Sequence, residues 1–463
     1  MNILRLLIAY FIPLLIGLTM VSLAEGRRNI FRKGEKLADG FALGLGIQTM
    51  YIFCLGLINI RFTFWSCSAP VWPAVLVNLY WIKTGRISLR PGSLTILRGH
   101  HVFGKILVGI IILLISIKLL LNIFISFSSP AYFDDSITIW DYKAKVFYHH
   151  RGLVKDPEHP DFFGGNVPKY PNGIPLFKTW LAICNGQWEE WPVNTISWVI
   201  YLLTGVFLYY GLKRWHSALT ALIGAYLAMS LPLFAFHGAF AHSDIIVGFY
   251  LMGGVIYLYR WLVERDSGLI LVAAGFFAVV GWIKDEGVIL FLGGVLPTGI
   301  LYLLLHRSWN CLKSGLILIV TVLLFLSPWL VSEIVYRFPV AVSGSHYFKL
   351  EFHPEAIMII KRFFFNTGNY NIFWLLYLVS LIIVLKIWQK VNIAYLVLMN
   401  LLALCTAIVP FVFTPFFKWL AVGTTINRAM LMIIPAAIFT ICRIWGLWLQ
   451  ENSIQKNNLE KQR

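Results

Sequence analysis

Negative charge is scarce in this chain. Of 463 residues only 21 are Asp or Glu, against 38 Lys or Arg, and charged residues of all kinds make up 13%. A typical soluble domain carries about 25%. With 59% hydrophobic residues and a mean hydropathy of +0.76, the composition excludes both a disordered chain and an ordinary soluble enzyme. Cysteine is sparse as well. Cys54, Cys67, Cys184, Cys311, Cys405 and Cys442 are scattered without a CxxC spacing, so neither a disulfide framework nor a zinc site is indicated. There is no P-loop, no Rossmann glycine fingerprint, no GxSxG and no nucleic-acid-binding signature. Low-complexity tracts and internal repeats of the transporter kind are also missing.

What fills the chain instead is apolar runs of membrane length. They lie near 3–23, 40–60, 66–82, 103–127, 193–213, 217–236, 244–263, 268–283, 287–305, 313–334, 371–388, 392–413 and 429–449. The expected fold is therefore an all-α polytopic membrane protein with about thirteen transmembrane helices. The first run ends in "MVSLAEGRRN", whose base lies on the wrong side for a cleaved signal peptide, so it reads as a helix.

The net charge of +17 has a topological reading. Lys and Arg gather in the connectors 25–36, 83–101, 212–217, 306–314 and 386–391, which alternate along the chain. By the positive-inside rule these loops and the tail 450–463 face the cytoplasm, where anionic lipid headgroups are natural contacts. The connectors 128–192, 237–243, 284–286, 335–370 and 414–428 then lie outside, and they hold most of the acids. An integral membrane protein whose acid-bearing face lies outside the cytoplasm is the expectation.

The stretch "AYFDDSITIWDYKAKVFYHH" (131–150) follows the fourth run directly. One acid suffices to cap a helix, and charge near the hydrocarbon edge is costly. Two adjacent carboxylates, Asp134 and Asp135, suit a general base or a hydroxyl-orienting pair. Trp140, Ala144 and Phe147 recur at i, i+4 and i+7, and Asp141 and Lys145 pair at i, i+4. That pattern predicts an amphipathic helix on the outer membrane surface. An irregular Pro- and Gly-rich loop (155–175) with Lys169 and Tyr170 follows, and a second surface helix is expected from Pro354 to Phe365.

Further polar residues sit at outer helix ends. "AHSD" places His242 and Asp244 at the opening of the seventh run, and "GWIKDEGV" crowds Lys284, Asp285 and Glu286 into a turn. "TTINRAMLMIIP" drives Arg428 into the last run, where an anionic partner is expected. Each also has a plain structural use: a cap, a solvated turn or a snorkelling cation. His149, His150, Asp156, His159 and Asp161 form a hydrophilic cluster without a strong metal-ligand spacing.

In their order, these residues resemble the GT-C glycosyltransferases. The likeness is to the bacterial branch related to dolichyl-phosphate-mannose–protein mannosyltransferases and the lipid A aminoarabinose transferase. The similar pattern comprises Asp135, Trp140, Lys143, Ala144 and Lys145, then Tyr170, Pro171 and Pro175. Asp244, the turn Lys284-Asp285-Glu286-Gly287, and Arg428 with Pro435 complete it. The resemblance covers 103–449, leaving three accessory helices in 1–102 where these enzymes have a single helix before the acidic loop. It implies a GT-C-like module with outer loops 128–192 and 335–370. It further implies inverting transfer of a sugar from a polyprenyl-phosphate donor to a glycan, lipid or protein acceptor. Asp135, with Asp134 as partner or alternative, would be the catalytic base. Lys284 and Arg428, then Lys143 and Lys169, would stabilise the phosphate. Asp244 and Glu286 would hold sugar hydroxyls or those cations, and Trp140 and Tyr170 would stack on the sugar. Asp285 and His242 join the donor-binding set, with the role of Asp285 open because these enzymes more often have an Asn there. No cofactor is required, no nucleic acid is expected as a partner, and a divalent metal is a minor alternative. The competing readings are a flippase or transporter of a lipid-linked sugar, a non-catalytic membrane assembly factor, and a polymerase or ligase using a diphosphate-linked glycan.

Overall fold

The computed structural model describes residues 3–26, 28, 30–84, 102–131, 134–240, 242–338, 349–389, 392–421 and 423–462. Every regular element among them is helical. In chain order these are α1 (Ile3–Glu25), α2 (Lys33–Leu57), α3 (Phe64–Ser68), α4 (Val71–Lys83), α5 (Val102–Ser128), α6 (Asp141–His150) and α7 (Gly173–Asn185). Next come α8 (Glu190–Lys213), α9 (Ala218–Ser230), α10 (Pro232–Ala239), α11 (Asp244–Glu264), α12 (Ser267–Ile283), α13 (Asp285–Leu290) and α14 (Leu296–His306). The chain ends with α15 (Trp309–Tyr336), α16 (Glu355–Phe365), α17 (Phe373–Ile387), α18 (Ile393–Phe413), α19 (Phe417–Ala421), α20 (Thr424–Leu431) and α21 (Ile434–Gln462). Single π turns, Ser136–Trp140 and Phe291–Val295, lead into α6 and join α13 to α14.

Among the described residues, eight helices are long and apolar enough to cross a membrane: α1, α2, α5, α8, α11, the continuous α13–α14 unit, α15 and α18. Two bent pairs, α9–α10 at 70° and α20–α21 at 51°, raise the number to ten. All thirteen expected runs fold as helices, but the count of thirteen spans is not reached. α12 and α17 are apolar yet only 17 and 15 residues long, and the run near 66–82 is divided into α3 and α4. The α9–α10 bend has a local cause. Leu231 precedes Pro232 and takes the extended backbone (φ −64°, ψ 122°) that a following proline favours. The second expected surface helix is present as α16.

α11 is apolar on every side and forms the buried centre of the bundle, packed by α8, α12 and α21. Gly248, one turn beyond Asp244, is where α20 meets α21. A Cβ there would lie 2.6 Å from the Leu431 carbonyl oxygen. Glycine lets the break between α20 and α21 rest against α11 and brings Arg428 over Asp244.

α1 and α2 pack into the same bundle rather than beside it. Trp180 Nε1 donates to the Ala9 carbonyl (2.9 Å), Tyr250 Oη to that of Ala42 (2.7 Å), and Trp282 Nε1 to Thr49 Oγ1 (3.0 Å). On α2, Glu35 pairs with Arg260 and accepts from Tyr257 (3.0 Å), while Asp39 accepts from the same hydroxyl (2.5 Å). Sixteen residues separate Asp244 from Arg260 along α11, roughly 24 Å at 1.5 Å per residue. The bundle thus carries one ionic cluster near each end. Residues 85–101 of the basic connector and 339–348 of the second outer loop lie outside the described residues.

Candidate functional site

The end of the bundle that bears Asp244 gathers charge from four separate segments. Asp135 lies at the start of the helical turn after α5, Asp244 opens α11, Lys284 and Glu286 come from the α12–α13 corner, and Arg428 comes from α20. Lys284 is the hinge of that corner. Its backbone is extended (φ −161°, ψ 144°) between two helices, so its side chain turns inward. Gly287 closes the corner, because a Cβ there would stand 2.6 Å from the Val280 carbonyl oxygen.

These side chains form one continuous chain of ion pairs. Arg428 Nη2 donates to Asp135 Oδ2 (2.5 Å) and Arg428 Nε to Asp244 Oδ2 (2.8 Å). Lys284 Nζ donates to Asp244 Oδ1 (2.9 Å) and lies 3.0 Å from Glu286 Oε1. The middle is dry and the ends are wet. Side-chain exposure is 0% at Asp244 and 5% at Lys284, rising to 23% at Arg428, 28% at Asp135 and 40% at Glu286. A buried carboxylate is tolerable only when paired, and Asp244 gives one oxygen to each cation. Burial alone would lower the Lys284 ammonium, but the Asp244 and Glu286 carboxylates reverse this and hold it above the usual lysine range. Burial lowers His242 to about 4, with Asp244 pulling it up and Arg428 pushing it down, so its ring is neutral at neutral pH. Tyr370, beside α17, steadies α20: its hydroxyl lies 2.9 Å from Asn427 Oδ1, next to Arg428.

Tyr170 borders the cluster. Burial raises its phenol above the usual range, and the Glu286 carboxylate adds to this. Trp140 stacks behind it at 5.7 Å but is itself fully buried, so Tyr170 is the ring a ligand would meet and Trp140 is its backing. Several polar atoms around this end have no hydrogen-bond partner among the described residues, although they are buried. They are Ser136 Oγ, Trp140 Nε1, the Asn172 amide, Ser243 Oγ and Glu286 Oε2. Buried polar atoms are ordinarily satisfied, so water or a polar guest is expected at each of them.

Other expected residues stand elsewhere. Asp134 is exposed and outside the ion-pair chain, its carbonyl accepting from Thr138 Oγ1 (2.7 Å). Lys143 is held by the 167–170 loop. It is fully buried, and its ammonium lies 2.7 Å from the carbonyl oxygen of Tyr170, 3.1 Å from that of Val167 and 3.4 Å from that of Pro168. Those three contacts use all its protons and anchor the 167–170 loop. Burial brings its pKa down to about 7, with Asp285 opposing. Lys169 and Asp285 are half-buried, and their charges act on each other. The expected Asp141–Lys145 pair gives way to a buried one: Lys178 donates to Asp141 and to Asn194 Oδ1 (2.7 Å), tying α6 to α7 and α8. With Trp140, Ala144 and Phe147 all at 0% exposure, the α6 stripe faces protein rather than the membrane surface.

Sequence reasoning passed over His237, Asn427, Tyr370 and Lys178. His237 stacks near His242, with ring centroids 4.6 Å apart, and its place five residues upstream was the available signal. Metal-ligating atoms gather twice among the described residues, at His237, His242 and Asp244 and at His150, His159 and Asp161, each set within 4.8 Å. At the first, a divalent ion would stand beside Arg428 and Lys284, an arrangement that charge repulsion opposes. At the second, His150 Nε2 already pairs with Asp161 Oδ2 (3.0 Å) and His159 Nδ1 accepts from the Asp161 N–H (3.0 Å).

No protein-family model and no curated protein matches the chain. Among solved structures it is similar to ArnT from Cupriavidus metallidurans bound to undecaprenyl phosphate, at 14% identity and a TM-score of 0.49. The match covers 75% of this chain and 63% of that one, less than two thirds of its length.

Proposed function

We propose that the chain is a membrane glycosyltransferase of the GT-C type. It takes a sugar from a polyprenyl-phosphate donor and passes it to an acceptor hydroxyl or amine at the Asp244 end of the bundle, outside the cytoplasm. The observation that carries this reading is the Asp135–Arg428–Asp244–Lys284–Glu286 chain, dry at its centre and open at both ends. A lipid-borne sugar reaches such a site by lateral diffusion, with no need of a nucleotide sugar.

Chemically, Asp135 removes the acceptor's proton as its oxygen or nitrogen attacks the anomeric carbon from the face opposite the phosphate. The anomeric C–O bond breaks, and the polyprenyl phosphate leaves with the electron pair. Arg428 uses two of its five donors on Asp135 and Asp244, and Lys284 is held by Asp244 and Glu286. Both cations are preorganised to meet the charge that develops on the departing phosphate. Glu286 and Tyr170 border the sugar, and the unpartnered polar atoms supply its hydroxyl contacts. Asp134 is dropped from this machinery.

The bends at α9–α10 and α20–α21 favour a second reading, since discontinuous helices are a device of transporters. Against it, the charges gather at the bundle's ends. The test is transfer by purified protein in lipid, offered labelled polyprenyl-phosphate sugars with a membrane extract as acceptor. Label is expected to pass to acceptor. Donor that crosses liposome bilayers but is never transferred would overturn the reading in favour of transport.

A further inference from the structure

We infer that the opposite end of the bundle holds a second lipid site, for an anionic phospholipid whose acyl chain enters an apolar cavity and whose phosphate meets Arg265. This is independent of the proposed transfer reaction.

The cavity, about 240 Å³, lies among α11, α14, α15 and α18 and is walled by Trp261, Phe291, Gly299, Leu303, Leu316 and Met399, among others. Its opening has a backbone cause. The π turn Phe291–Val295 widens the α13–α14 helix where Phe291 and Val295 face the space. Gly299 adds room, because a Cβ there would meet nothing within 4 Å. Around it, Leu304, Leu305 and Trp309 are 61%, 64% and 73% exposed, so the cavity's neighbourhood is continuous with the surface that hydrocarbon would cover.

Arg265 lies against three residues of the cavity wall, Trp261, Tyr302 and Cys311. It ends α11 in the left-handed region (φ 60°), and its guanidinium lies 5.3 Å from the Trp261 ring centroid, 5.1 Å from that of Tyr302 and 3.8 Å from Cys311 Sγ. Among the described residues no carboxylate pairs with it, although it has an acid on either side. Glu264 is taken by Arg214 (2.5 Å) and Arg260 (3.3 Å), and Asp266 by Arg28 (2.7 Å). Arg307 and Lys313 follow on the adjoining connector and the first turns of α15. A cation against aromatic rings, without a carboxylate partner among the described residues and beside an apolar cavity, is complementary to a phosphodiester with an acyl tail.

The experiment uses the full chain in neutral detergent, delipidated and then offered phosphatidylglycerol or phosphatidylcholine of the same acyl chains. Retained lipid is counted by native mass spectrometry. Phosphatidylglycerol is expected to be retained at least about 10-fold better. That preference should be lost in Arg265→Gln, and in Gly299→Phe, which fills the cavity while leaving the cation in place. Equal retention of both lipids, or unchanged retention in a folded Gly299→Phe, would overturn the proposal. So would displacement of phosphatidylglycerol by an equimolar polyprenyl phosphate, which would make the cavity a donor-chain site. Folding of each variant is checked by its elution volume and tryptophan fluorescence.

Discussion

Asp244 holds the ion-pair chain together, and removing its charge is the most informative perturbation. In Asp244→Asn the buried Lys284 ammonium keeps only Glu286, and the Arg428 guanidinium keeps only Asp135. Breaking one partner out of a buried pair costs about 3–5 kcal/mol, and the partners that remain, Glu286 and Asp135, are the more exposed ones. Asp244 at 0% exposure and Lys284 at 5% meet that condition, whereas Asp135 at 28% is partly solvated. Asp135→Asn is therefore expected to cost about 1 kcal/mol or less, as exposed pairs do. Reversible unfolding in mixed micelles, followed by the fluorescence of the 18 tryptophans, measures both. The double variant Asp244→Leu with Lys284→Met removes both charges at once and is expected to regain most of the lost stability. Its sugar transfer should stay abolished, which separates the fold's need for the pair from the chemistry's need. Asp244→Asn unfolding like wild type, or a double variant no more stable than the single one, would refute this.

Two further outcomes follow from the same geometry. His242 is held at about 4 in the folded protein against 6.5 when free, so the fold favours its neutral form. The sign is that of a depressed base: its contribution is present above pH 6.5 and is lost as pH falls toward 4, about 3 kcal/mol in all. His242→Gln should flatten unfolding free energy against pH in that window, and an unchanged slope would contradict it. Lys143→Met leaves the carbonyls of residues 167, 168 and 170 without their donor, at about 1–3 kcal/mol for a buried acceptor. Faster amide exchange confined to the 155–175 loop is expected, and wild-type protection there would exclude the anchoring role.

The sequence made the apolar runs legible because membrane length is a property of composition alone. The site was legible for a related reason: charge is so rare near hydrocarbon that Asp135, Asp244, Lys284, Glu286 and Arg428 each stood out at a helix end. Their order in one ion-pair chain was not legible, since it depends on Gly248 admitting the α20–α21 break against α11. Local pairing rules misled at Asp141. Lys145 is four residues away, but Lys178, 37 residues on, can reach a buried position that an exposed Lys145 cannot share. The burial of Lys143 is not legible either, because nothing local announces that a loop 24 to 27 residues downstream folds back over it. The full burial of Trp140 is not legible because stacking and burial look alike in sequence, and the run near 217–236 does not show that it is two helices bent at Leu231.

The central claim is that Asp135, not Asp134, activates the acceptor in a sugar-transfer site. The direct measurement is donor binding and transfer by wild type, Asp135→Asn and Asp134→Asn with the same polyprenyl-phosphate sugar. The expected result is normal donor affinity in all three, transfer reduced by at least about 100-fold in Asp135→Asn, and near wild-type transfer in Asp134→Asn. Transfer retained in Asp135→Asn with the donor bound normally would contradict the assignment.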